Sequence, residues 1–175
     1  TLMLLCSLHF IASNNDVRAE PFLTGMIIAA VYHFSNSLKS FFSWHLVAAT
    51  AFTAMAMMTK GPFTLVPIGG ALAGQLLFRQ DWKQLFHPRW LLMLVLLTVF
   101  ISPELYSLWY QFDQHPEKII FGGTNVSGIR FFLWDSQFGR FFNSGPIKGK
   151  GDPFFFLHTL LWAFLPWAVL MYVAL

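Results

Sequence analysis

The chain has 175 residues, of which 56% are hydrophobic and only 11% charged, with a mean hydropathy of +0.57. Soluble domains carry about 25% charged residues, so composition alone excludes an ordinary water-soluble domain. A net charge of +3 without any basic run interleaved with aromatics sets nucleic acid aside and makes anionic lipid headgroups the expected electrostatic partners.

The placement of the charges says more than their number. Between Glu20 and Lys39, Lys39 and Lys60, Lys60 and Arg79, Arg89 and Glu104, and from Pro153 onward, no Asp, Glu, Lys or Arg occurs. These gaps are about as long as the ~20 apolar residues that cross a bilayer as a helix. Six apolar segments follow in chain order: 1–13, 21–36, 44–58, 63–78, 90–111 and 154–175. The expected fold is therefore all-α, a polytopic transmembrane bundle of about six segments. Apolar runs at both ends lead to the expectation that the chain is an internal piece of a longer protein. Cys6, alone in an apolar run, allows no internal disulfide and suggests no metal cluster.

If each segment crosses once, the connections at 14–20, 59–62 and 112–153 share one face, and those at 36–43 and 79–89 share the other. The second, short face concentrates Lys39, Arg79, Lys83 and Arg89 against Asp81 alone, which by the positive-inside rule makes it cytoplasmic. The long loop 112–153 is too rich in Phe and Trp to be a disordered tether, and 135–142 predicts a short amphipathic helix at the interface.

Three charged clusters fall on the loop face. Arg18 and Glu20 stand before Pro21, either as a capped helix start with a local ion pair or as a phosphate clamp with a metal or sugar-hydroxyl ligand. Lys60, in Thr59-Lys60-Gly61-Pro62, is either a snorkelling interfacial lysine or a point charge for a lipid phosphate. In the long loop, Asp135, Arg140, Lys148 and Lys150 are either a solvated rim or a phosphate grip, with Arg140 suited to bidentate contact. Glu104, behind Pro103 in an apolar segment, is an intramembrane carboxylate that function or a partner such as Tyr106 must account for. His33, His45 and His158 read as packed or interfacial residues, since no second His or Cys stands at ligand spacing. Asn125-Val126-Ser127 matches a glycosylation sequon. No hydrolase elbow, P-loop or HExxH motif is present.

Taken in order, Arg18-Ala19-Glu20, Met58-Thr59-Lys60-Gly61-Pro62, Phe138-Gly139-Arg140-Phe141, Pro153-Phe154-Phe155-Phe156 and Leu165-Pro166-Trp167 resemble the polyprenyl-phosphate-sugar-dependent glycosyltransferases of the GT-C class. The similarity is to the branch with protein O-mannosyltransferases and the lipid A aminoarabinose transferase. It implies that 1–175 is part of one GT-C-like transmembrane domain, truncated at both ends, with 112–153 an extracytoplasmic loop. It implies an inverting membrane enzyme, by resemblance to bacterial members of the inner membrane, that moves a sugar from a polyprenyl-phosphate carrier to a lipid, glycan or protein acceptor. Lys60 and Arg140 would hold the carrier phosphate, Arg18 and Glu20 would line the site, and Asp135, Lys148 and Lys150 would belong to the substrate-binding loop. The family's catalytic carboxylate lies in a loop N-terminal to residue 1, so no residue here is assigned as general base. No cofactor is fixed, and a divalent metal is left open. The chain departs from the family at Glu20, where Asp is usual, and at Ser136, where an acid is usual. A lipid-phosphate transporter or flippase, and a non-catalytic membrane scaffold, are the rival readings.

Overall fold

The computed structural model describes residue 11 and residues 19–38, 43–120, 122–139, 165 and 167–174. These are mostly helical, and among them no strand forms; the only bridge among them pairs Ile120 with Gly123 in a turn. The chain falls into two compact units. One is Leu23–Lys148, and the other combines Thr1–Phe22 with Gly149–Leu175.

In the larger unit, helix α1 (Glu20–Ser37, whose first residues belong to the smaller unit) is followed by α2 (Trp44–Lys60), a 3₁₀ turn (Pro62–Thr64) and α3 (Leu65–Phe78). A single turn, α4 (Trp82–Leu85), leads to the long α5 (Arg89–Leu108). A last helix begins at Gly128 as α6 (Gly128–Arg130) and runs on with π-type winding over Phe131–Gly139. In the smaller unit, α7 (Trp167–Ala174) is the one described helix of that length, with Ala168 fully buried.

The expected segments 21–36, 44–58, 63–78 and 90–111 coincide with α1, α2, the 3₁₀ turn plus α3, and α5 with its extension. Segment 1–13, apart from Ile11, and most of 154–175 lie outside the described residues. By length and composition, one helix among the described residues is long and apolar enough to cross a membrane: Arg89–Asp113, with a mean hydropathy of 2.0 in its best window. Pro62–Phe78 is apolar but shorter. The hydroxyls and imidazoles of α1 and α2 lower their hydropathy, although Thr50 and Thr53 satisfy themselves by donating to the Leu46 and Ala49 carbonyls at 2.7 and 2.8 Å.

Packing explains why α2 is central. It buries Leu46, Ala49, Thr50, Thr53, Ala54, Ala56 and Met57, a face wide enough for neighbours on more than one side. Its alanines let those neighbours approach closely. One core cluster joins Ala30 and Phe34 of α1 to Leu46 and Ala49 of α2 and to Ile68 and Leu72 of α3. A second joins Ala54 and Met57 to Leu97 and Ile101 of α5. Thus α5 turns the i, i+4 stripe Met93, Leu97, Ile101 and Leu105 inward. Its opposite face carries Leu91, Leu94, Val95 and Val99, each more than half exposed. A helix apolar on both its packed and its outer face suits lipid, because a patch of that extent in water marks an interaction surface. This helix is thus, by length and composition, able to cross a membrane.

Two features of α5 are local. Pro103 has no N–H for the Val99 carbonyl, and the Ser102 hydroxyl supplies the missing donor at 2.8 Å. Beyond Leu108 the helix widens into a π turn, Trp109–Asp113, where the Gln114 N–H reaches the Trp109 carbonyl five residues back at 3.1 Å.

The two ends of the bundle sort as single crossings require. At one end Arg89, 3% exposed, donates to the Ser37 carbonyl at 2.9 Å, so the connections at 36–43 and 79–89 meet. At the other end the Lys60 carbonyl accepts from the Gln137 side chain at 2.7 Å, so 59–62 meets the long loop.

Candidate functional site

The loop end is built around two glycines. Lys60 closes α2, and Gly61 takes φ +89°, a backbone region that favours glycine, with its N–H on the Met57 carbonyl at 2.6 Å. Pro62 then opens the 3₁₀ turn, and the Thr64 hydroxyl returns to the Gly61 carbonyl at 3.0 Å. The reversal is tight and leaves the Lys60 side chain exposed at the helix end. A Cβ on Gly61 would collide with the carboxamide of Gln137.

The second glycine is Gly128. A Cβ there would come within 2.8 Å of the Leu108 carbonyl oxygen and of the Phe112 ring. Asp113 accepts from the Gly128 N–H at 3.0 Å, and the Ser127 hydroxyl accepts from the Arg130 N–H at 3.2 Å. These two contacts start the helix at 128, seven residues before the expected 135, because Ser127 is its N-cap. The expected end at 142 lies outside the described residues. Between the two helices the chain is folded back on itself, with the Asn125 N–H on the Pro116 carbonyl at 2.9 Å. Asn125 itself sits at φ +61° and is exposed.

A cavity of about 320 Å³ opens at this end, lined by Thr59, Lys60, Gly61, Leu108, Phe132 and Gln137 among others. A second cavity of about 270 Å³ shares Phe131 with the first and is bounded by Ser127, Arg130 and Asp135. Asp135 pairs with Arg130 at 3.6 Å, and the guanidinium is far more exposed than the carboxylate. The lining mixes lysine, hydroxyls and amide groups with aromatic walls, as a polar headgroup at a membrane surface requires. By contrast a cavity of about 420 Å³ among Phe34, Ile68, Leu72, Trp90 and Met93 is apolar and has no ionisable wall.

Of the residues expected to line a site, Lys60 and Asp135 come to this one end, Lys60 on the first cavity and Asp135 on the second. Glu20 stands in the first turn of α1, in the unit formed by Thr1–Phe22 and Gly149–Leu175. Arg18, Arg140, Lys148 and Lys150 lie outside the described residues. Glu104 is half-buried on α5 with no hydrogen bond or ion pair among the described residues, and Tyr106 stacks on Tyr110 and packs at a tilt against Trp109 instead of reaching it. No group of three His, Cys, Asp or Glu among the described residues could hold a metal ion.

Sequence reasoning missed Arg130, Ser136 and Gln137. A Ser-Gly pair before an apolar run was a legible cap signal for the helix that carries them, but nothing local tells Gln137 to find Lys60. It also missed a pairing at the opposite end: the Nδ1 atoms of His33 and His45 lie 2.8 Å apart across α1 and α2. A second histidine does stand beside His33, twelve residues away in sequence.

No protein-family model, curated protein or solved structure matches this chain in comparison.

Proposed function

We propose that the chain is part of a membrane glycosyltransferase of the GT-C kind, inverting, with about six spans in this piece and its loop end outside the cytoplasm of a bacterial inner membrane. The acceptor oxygen attacks the anomeric carbon of a polyprenyl-phosphate sugar, the bond from that carbon to the phosphate oxygen breaks, and the carrier phosphate leaves. The acceptor's proton goes to a general base, a role assigned to none of the residues named here. Lys60, with Arg140, offsets the charge that grows on the departing phosphate, as prearranged cations at a water-poor surface do. Arg18, Glu20, Asp135, Lys148 and Lys150 bind the donor or border its site. The observation that carries this reading is the 2.7 Å bond from Gln137 to the Lys60 carbonyl, which seats a lysine and a polar-lined cleft against the long loop.

The test is transfer of radiolabelled sugar from synthetic polyprenyl-phosphate sugars by the full-length protein in detergent, with and without EDTA. Carrier-dependent transfer is expected, and Lys60→Ala and Arg140→Ala should each abolish it at normal expression. Wild-type turnover in both variants would remove the phosphate roles, while the EDTA arm decides whether a divalent metal takes part. A lipid-phosphate transporter is the second reading, favoured by Glu104, a carboxylate without a bonded partner among the described residues on a helix long enough to cross. Carrier translocation without transfer by any donor would select it.

A further inference from the structure

The His33–His45 contact lies at the end of the bundle remote from the proposed sugar site, and its chemistry is independent of that site. The two Nδ1 atoms, 2.8 Å apart, are at hydrogen-bond distance and too close for two unbonded lone pairs. One ring must therefore carry its proton on Nδ1 and the other must accept there, which fixes opposite tautomers. His33 lies near the C-terminal end of α1, where the helix dipole favours positive charge, and His45 lies in the first turn of α2, where it does not. The donor is thus His33 and the acceptor His45.

Two protons can be added, and they act in opposite directions. The first goes to Nε2 of His33, makes it an imidazolium and strengthens the donated bond. The second has only Nδ1 of His45 to go to. It takes the lone pair that holds the contact and sets two cations against each other.

Around the pair, the described residues supply aromatic rings and no counter-charge. Phe52 stacks on His33 with ring centroids 5.8 Å apart, and Trp44 packs on both imidazoles. Tyr32 meets both rings edge-on. From α3 the nearest polar contact to α1 is neutral, Gln75 accepting from Ser35, and from α5 it is the cation Arg89 on the Ser37 carbonyl. No carboxylate among the described residues bonds to either imidazole, and Lys39 lies outside them.

We propose that His33 and His45 form a proton-responsive clasp between α1 and α2, tightened by one proton and released by a second. Of the other ties at this end, Arg89 to Ser37 and Ser35 to Gln75 do not titrate near neutrality, while the His87 Nδ1 accepts from the Arg89 N–H at 3.2 Å, so the response of the clasp itself is the difference between the wild type and a variant that keeps His87.

The experiment is an NMR titration from pH 8 to pH 4.5 of the full-length protein in lipid nanodiscs, with ¹⁵N-labelled histidine. In the wild type, His33 and His45 should titrate as a coupled pair in two steps whose proton affinities differ by at least about tenfold. In His45→Gln the remaining His33 should titrate in one step, and His33→Gln should do the same for His45. Thermal unfolding supplies a second readout. Between pH 6.5 and pH 5 the wild-type Tm should fall about 2–4 °C further than that of His45→Gln, the shift expected of a chain this size on losing one such contact. Independent single-step titration of both rings in the wild type would overturn the clasp. So would a Tm difference that stays flat with pH. If neither variant folds, the number of steps in the wild type decides.

Discussion

The two ends of the larger unit solve opposite problems. At the end that holds His33, His45 and Arg89, polar side chains are turned inward and bonded to one another or to backbone, and the Ser37 carbonyl and Arg89 guanidinium are buried together. At the loop end the backbone comes close at Gly61 and Gly128, while Lys60 and Arg130 are left exposed beside open cavities. The first end spends its polar groups on holding helices together. The second brings backbones close at two glycines, adds the ties from Gln137 to the Lys60 carbonyl and from the Gly128 N–H to Asp113, and carries its lysine and arginine at the surface. In lipid the difference has energetic meaning, because apolar packing between helices has no water to exclude and each interhelical hydrogen bond contributes about 1 kcal/mol.

Breaking the loop end should have the larger effect. Gly128→Ala places a Cβ against a carbonyl oxygen and a ring that are both fixed by α5 and its π turn, and should cost about 1–3 kcal/mol. It should also free the 128–139 helix from Leu108, seen as faster backbone exchange of its amides at unchanged exchange in α2. Unchanged exchange in both would mean the close approach is not a constraint.

At the opposite end, Arg89→Met keeps the bulk and removes the donor to the Ser37 carbonyl. A buried acceptor left without its donor costs about 1–3 kcal/mol, and the carbonyl's place at a helix end puts this loss below that at Gly128. Denaturation in detergent should show the loss, with the loop-end cavity residues unaffected in their cysteine labelling rates. Altered labelling at the loop end would show that the two ends are coupled.

The smallest effect concerns the exposed turn after α5. There the Glu117 carboxyl is held below its ordinary range, chiefly by its own backbone N–H and then by His115 at 3.1 Å. A depressed carboxyl favours the fold above its unfolded value and loses that contribution as pH falls through the folded one. Because Glu117 is fully exposed, the overall stability should hardly change. An NMR titration of its side-chain carbon should instead show the value rise in His115→Gln, and no movement would assign the shift to the backbone alone.

Much of this was legible in the chain itself. The charge-free runs placed α1, α2, α3 and α5 to within a few residues, and Gly61-Pro62 marked the reversal after Lys60, because only glycine tolerates its φ and only proline suits the turn that follows. Two of the meetings that parity foresaw are present, 36–43 with 79–89 and 59–62 with the long loop, while residues 14–18 lie outside the described residues. The helix expected from 135 instead starts at Gly128, because the Ser127 hydroxyl caps it there.

What sequence determined, then, is the material: apolar helices, their order, their turns and the end at which each charge emerges, all properties of residues close together in the chain. Tertiary structure alone decided that Gln137 reaches back 77 residues to Lys60 and that His33 meets His45. Such contacts depend on the rotation of each helix about its axis. In α5, where the inward and outward faces are both apolar, the hydrophobic pattern carries almost no information about that rotation. Packing of Ala49, Ala54 and their neighbours sets it, and the polar contacts follow.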